Sequence, residues 1–283
     1  MPRLLVSAAL WSAAAHALRC TRRECCHLGA AAVNLGAAAV ALAPAAALAN
    51  DASLEDAFSA RTKVLRPLQS GTCDAPTPEW LRGDWTVAAS RFEGVSFPQS
   101  GSYYPRGGFT QTIAGARRGT ILAIPNAGAA PKGYARSYAS TLGTSSDVTN
   151  AAATLKAFWP DATDIAVEQS AKRTVIRYAA PTVKRGVLPQ RIVADRLACA
   201  STEGPDSLVV AERWAQASVV DDADAALTSL SGTYTAWHRY DRVDQGVRET
   251  LRVAAFDDNP AADDIRPAAV YDYSFLLRRR AGR

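Results

Sequence analysis

The chain has 283 residues, with 32 Lys and Arg against 27 Asp and Glu, a formal charge of +5 and 48% hydrophobic residues. That length supports a substantial core, and basic residues interspersed with acids, without an RNP-like aromatic motif or a zinc knuckle, argue against a nucleic-acid partner. Much of the basic excess sits in the first 49 residues, where four arginines and one glutamate account for +3.

That N-terminal stretch reads as an address. Arg22 and Arg23 form a twin-arginine pair, and Leu28–Ala49 holds 22 uncharged residues, 12 of them alanine, closing on Ala47-Leu48-Ala49. A basic pair, a mildly apolar run and a small-x-small end are the parts of an export signal. The run is long enough to span a bilayer, but its low hydrophobicity and Pro44 favour cleavage over anchoring. Upstream, Arg3, Ser7, Ser12 and Arg19 with no acid before Glu24 have the composition of an organelle transit peptide. Residues 1–49 are therefore expected to be a bipartite transit and twin-arginine leader, removed on delivery to the chloroplast thylakoid lumen. The alternative is a bacterial signal leading to the periplasm or outside the cell.

Cleavage would remove Cys20, Cys25 and Cys26 and leave Cys73 and Cys199, the minimum for one disulfide. An exported compartment permits that bond without requiring it. Two cysteines and His238 cannot supply a conventional structural zinc site, so no metal site is expected.

Residues 50–78 read as an N-terminal helix and linker. Ser53 with Asp56 resembles a capping box, Leu54, Phe58, Leu65 and Leu68 recur at helical spacing, and Gly71–Pro78 is a linker carrying Cys73. Residues 79–283 read as one β domain. A strand starts at Gly83-Asp84-Trp85-Thr86-Val87; Ser96–Gly108 is expected to be an irregular loop, Phe109–Ala114 and Thr120–Ile124 short strands, and Asn126–Gly143 a loop. Asp147 could cap a helix through Phe158, with Val148, Ala151, Leu155 and Phe158 on one side.

Seven strand-like runs follow: Asp164–Gln169, Thr174–Ala179, Gln190–Ala200, Ser207–Ser218, Gly232–Val243, Val247–Phe256 and Ala268–Leu277. Links as short as Asp244-Gln245-Gly246 join antiparallel neighbours. The expected fold is mainly β, an antiparallel barrel of about 8–10 strands with one or two accessory helices, since closure removes exposed edges. Along Val247–Ala255, Glu249 shares a face with Val247, Leu251, Val253 and Ala255. A carboxylate on an apolar face needs a partner or a proton. The neighbouring strands offer Tyr273 and Asp272 on one side, His238 and Tyr234 on the other.

Gly83-x-Trp85 at the first strand, an antiparallel meander and an arginine near the last strand resemble the lipocalin, or calycin, pattern. With Trp80–Val87, the Val209–Gln216 run holding Glu212-Arg213-Trp214, and Tyr271-Asp272-Tyr273, the chain is similar to an uncharacterised lipocalin-like family of cyanobacteria and plastids. The resemblance spans roughly Glu79–Arg280. It implies that Trp85 closes one barrel end, that Arg278 or Arg279 packs across its indole, and that the compartment is lumenal.

Catalytic sets are missing from the sequence. His238 is the single histidine after the leader, no nucleophile elbow accompanies it, and no phosphate-binding glycine loop is present. No catalytic residue and no cofactor are assigned. The expected function is a non-catalytic lumenal binding module for a small apolar or amphipathic ligand (pigment, quinone or lipid), with Trp85, Arg213, His238, Glu249 and Tyr273 as inward-facing ligand-binding residues. A second reading is an assembly protein with a filled barrel that binds a thylakoid membrane complex through the Tyr103–Gly108 loop and the basic tail. A third is an enzyme working inside the cavity, for which Glu249 is the one nameable acidic group.

Overall fold

The computed structural model describes residues 76–108, 122–139, 148–170, 172–182, 186–220, 229–256 and 267–280, with positions 54, 57, 58, 68 and 71. The leader, Cys73, most of the N-terminal helix, the Phe109–Ala114 strand, Asp147 and the aspartate runs 221–224 and 257–264 lie outside them. The elements are β1 (Gly83–Phe97), β2 (Ser102–Pro105), β3 (Ala135–Tyr138), α1 (Val148–Phe158), β4 (Thr163–Gln169), β5 (Arg173–Thr182), β6 (Gly186–Glu203), β7 (Ser207–Val220), β8 (Ser229–Val243), β9 (Gly246–Phe256) and β10 (Ala269–Arg279).

All ten strands belong to one antiparallel sheet, ordered β2-β1-β10-β9-β8-β7-β6-β5-β4, and β3 pairs with the start of β1. From β4 to β10 each strand lies beside its successor, as short links dictate. The exception is β1, which closes against the last strand from Trp85↔Arg279 to Ser96↔Val270. Between β8 and β9 the chain turns through Asp244-Gln245. Gly246 then stands at φ +137°, where a Cβ would lie 2.1 Å from the Leu277 carbonyl oxygen. No other residue fits that position.

The sheet is not closed into a barrel. Among the described residues no ladder joins β4 to β2 or β3, and α1 packs against both β3 and β4. Asn150 on α1 makes the seam specific. Its Nδ2 donates to the Ser137 carbonyl and its Oδ1 accepts from the Ser137 amide, both at 2.7 Å, so one side chain substitutes for a strand along the free edge of β3. On its other side Ala151 and Leu155 bury against Ile176, Tyr178 and Ile192.

Alternation along the strands sorts residues onto two faces. One face carries the main core, with Trp85, Phe92, Leu208, Trp214, Tyr240, Leu251, Tyr273 and Leu277 among its members. On the other face Val209, Ala211, Trp237, Ala254, Phe256 and Val270 pack against Leu54, Ala57, Phe58 and Leu68 of the N-terminal segment.

The sequence reading of loops needs correction in two places. Ser96–Gly108 is not irregular: β1 runs on to Phe97 and turns into β2. Asn126–Gly143 contains β3, a short strand hidden among glycine, alanine and proline. Its Tyr134, Arg136 and Tyr138 alternate with less buried neighbours, and that period of two was its sequence signature.

Candidate functional site

The site grows from three strands. On β9, Val247, Glu249, Leu251, Val253 and Ala255 are all buried, as the pattern required. Glu249 is 0% exposed. On β8, His238 lies opposite Leu251 and Tyr240 opposite Glu249, so the histidine and the glutamate are diagonal neighbours on one face. That spacing is within reach of long side chains. His238 Nδ1 lies 2.8 Å from Glu249 Oε1. An ionised carboxylate can only accept, so Nδ1 carries the proton and donates it. The imidazole then has its Nε2 edge free for anything else.

The third contribution comes from β3, which is not adjacent to β8 or β9 in the sheet. Arg136, 8% exposed, reaches into the core and donates through Nη1 to Glu249 Oε2. Its Nη2 donates to the Tyr134 hydroxyl at 3.0 Å. The guanidinium also sits 4.9 Å from the Phe275 ring centroid and 5.5 Å from that of Tyr134. Burying both ions costs several kcal/mol each, and only close pairing with added hydrogen bonds offsets that.

Charge states follow from this geometry. Burial alone would raise the Glu249 pKa, but the Arg136 charge and the His238 hydrogen bond outweigh it and hold the carboxyl below its ordinary value of 4.5. Burial likewise opposes the Arg136 charge, and Glu249 reverses that, pushing the guanidinium further up. Burial first, then the Glu249 charge, drive the hydroxyls of Tyr138 and Tyr240 up, so both stay neutral donors. Glu249 is therefore an anion in a salt bridge, not an acid kept protonated for chemistry.

Beside this cluster lies a cavity of about 60 Å³, partly open to solvent. Tyr138, Trp214, Tyr234 and Tyr240 give it aromatic walls; Arg136, His238, Glu212, Asn150 and Thr154 give it polar ones. Tyr138 and Tyr240 pack edge to face at 5.6 Å, and His238 stacks on Tyr240 at 6.0 Å. Glu212 is itself paired, with Arg196 Nη1 at 3.2 Å. Two buried donors on lining residues have no hydrogen-bond partner: the Tyr138 hydroxyl and Arg136 Nε. Buried groups in that condition are rare enough to require an explanation.

At the end of the strands, Trp85 is 2% exposed, and its Nε1 donates to the Leu81 carbonyl at 2.7 Å. The Arg279 guanidinium lies 4.5 Å from the indole centroid and donates to the carbonyls of Arg82 and Trp80. Arg279, not Arg278, takes the position over the tryptophan; Arg278 turns to Gln245. Gly83, at φ +107°, leaves room for that arrangement, since a Cβ would come within 2.7 Å of Arg279 Nη1.

Of the five residues expected to face a ligand, His238 and Glu249 come together, and His238 lines the cavity. Trp85 closes the strand end instead. Tyr273 is on the core face but away from the cavity, packed 5.1 Å from Phe92, with its hydroxyl accepting from the Gly128 amide at 2.7 Å. Arg213 is on the opposite face: it alternates with Glu212 and Trp214, and its Nη1 donates to the Leu68 carbonyl at 3.4 Å. Its assignment as inward-facing is corrected accordingly. Arg136, Tyr138 and Tyr240 went unnoticed in the sequence. No protein-family model, curated protein or solved structure matches the chain.

Proposed function

We propose that this chain is a non-catalytic binding module, exported to the thylakoid lumen, that holds one end of a small apolar or amphipathic molecule such as a pigment, quinone or lipid. The observation that carries the reading is the cavity beside Arg136, Glu249 and His238, with two unsatisfied buried donors on its lining residues. A volume of about 60 Å³ is well below the roughly 150 Å³ that encloses a benzene ring. The cavity therefore receives a head group, and the rest of the ligand stays outside it.

A lipocalin-like frame is part of the proposal. Arg279 over Trp85, the meander order and β1 returning beside β10 support it, with α1 spanning the seam that the ladder leaves open. Cys199 is disulfide-bonded. That supports an exported destination, since such bonds persist in oxidising compartments.

One observation favours the second reading, an assembly protein for a membrane complex. Most of the core face is filled by the chain's own side chains, including Ile124 from the segment before β3. Tyr103, 60% exposed on β2, would then be a contact residue. Native and denatured masses of the protein isolated from its host separate the two. A native mass higher by a small molecule supports the binding module; equal masses shift the assignment to the assembly protein.

A further inference from the structure

The lining of the cavity specifies the head group it accepts. Its charges are already balanced: Arg136 is paired with Glu249, and Glu212 with Arg196. An ion entering the cavity would lose hydration without meeting an uncommitted counter-charge, which disfavours carboxylates and ammonium groups alike. What remains unsatisfied is a pair of neutral-ligand donors, the Tyr138 hydroxyl and Arg136 Nε, on side chains 7% and 8% exposed. An oxygen with two lone pairs can accept from both. The Nε2 edge of His238 is then available to a hydroxyl proton, because Nδ1 is committed to Glu249.

We propose that the cavity binds an uncharged oxygen head, a carbonyl or a hydroxyl, that accepts hydrogen bonds from Tyr138 and Arg136. This rests on the binding-module reading and narrows it. Lipid-like molecules whose buried end is ionised are excluded as the ligand; ketones, quinone carbonyls and alcohols are included. The neutrality of the Tyr138 hydroxyl, maintained by burial and by the Glu249 charge, keeps it a donor.

The test uses four probes with the same eight-carbon tail: 2-octanone, 1-octanol, octanoate and octylammonium. Each is titrated at neutral pH into the protein isolated from its host and dialysed free of small molecules, with binding read by calorimetry. The ketone and the alcohol are expected to bind at least about tenfold more tightly than either ion. Tyr138→Phe should weaken the ketone by roughly three- to tenfold, the worth of one hydrogen bond. Its circular dichroism should match that of the parent. If an ion binds as tightly as the neutral heads, the head-group assignment is wrong and the binding module stands. If no probe binds below about 1 mM and no native adduct is seen, both fall together. The comparison among probes on the unmodified protein decides the matter even if the variant fails to fold.

Discussion

Glu249 concentrates the energetics of the core in one side chain. Glu249→Gln keeps the shape but strands a buried guanidinium, and breaking a buried pair in this way costs about 3–5 kcal/mol. The urea midpoint should fall accordingly, and a loss under about 1 kcal/mol would show that water reaches Arg136. The same group sets an acid limit. Its folded pKa lies below the ordinary 4.5, so its contribution is complete above that value and is lost as pH falls through the lower, folded one. Stability should decline from about pH 5 downward in the parent and more shallowly in Glu249→Gln. Parallel profiles in urea titrations would refute that assignment. Glu249 and His238 were legible in the sequence because a lone acid in a buried period-two run must find a partner nearby. Arg136 was not, because its partner is some 113 positions away and its strand is four residues long.

At the scale of elements, alternation located β4 to β10 closely, since each is long and bounded by short links. It failed on β7 for a physical reason. Val209 and Ala211 are buried on one face while Leu208, Val210 and Trp214 are buried on the other, because the N-terminal segment covers the outer side. With both faces apolar, the pattern does not say which way Arg213 points. The seam was also beyond sequence reasoning, as it depends on one amide. Asn150→Ala removes both hydrogen bonds to Ser137, each worth about 1 kcal/mol net. Hydrogen exchange at the Ser137 amide should accelerate by tenfold or more, roughly the factor that 1.4 kcal/mol of local opening gives. Unchanged protection there would mean that β3 is held by its ladder to β1 alone.

At the scale of the whole molecule, the outer face of the sheet is covered by chain that precedes it. Arg252 Nη1 donates to the Ala57 carbonyl at 2.5 Å, Arg213 to that of Leu68, and the Cys199 amide to that of Gly71 at 3.2 Å. Cys199 is also disulfide-bonded. Once the leader is removed, Cys73, two positions after Gly71 in sequence, is the one other cysteine left. A Cys73–Cys199 bond would therefore tie the segment to β6 and close a loop of more than a hundred residues. Bonds closing loops of that length stabilise by about 2–5 kcal/mol, mainly by restricting the unfolded chain. Peptide mapping without reductant should recover the two cysteines in one linked species, and Cys73→Ser should lower stability by that amount. The variant should also expose Trp237 and Phe256, which Leu54 and Ala57 help bury. A dye that reports apolar surface would detect this at pH 7. A map that joins Cys199 to a leader cysteine would refute both the pairing and removal of the leader, because residues 1–49 would then be part of the folded protein.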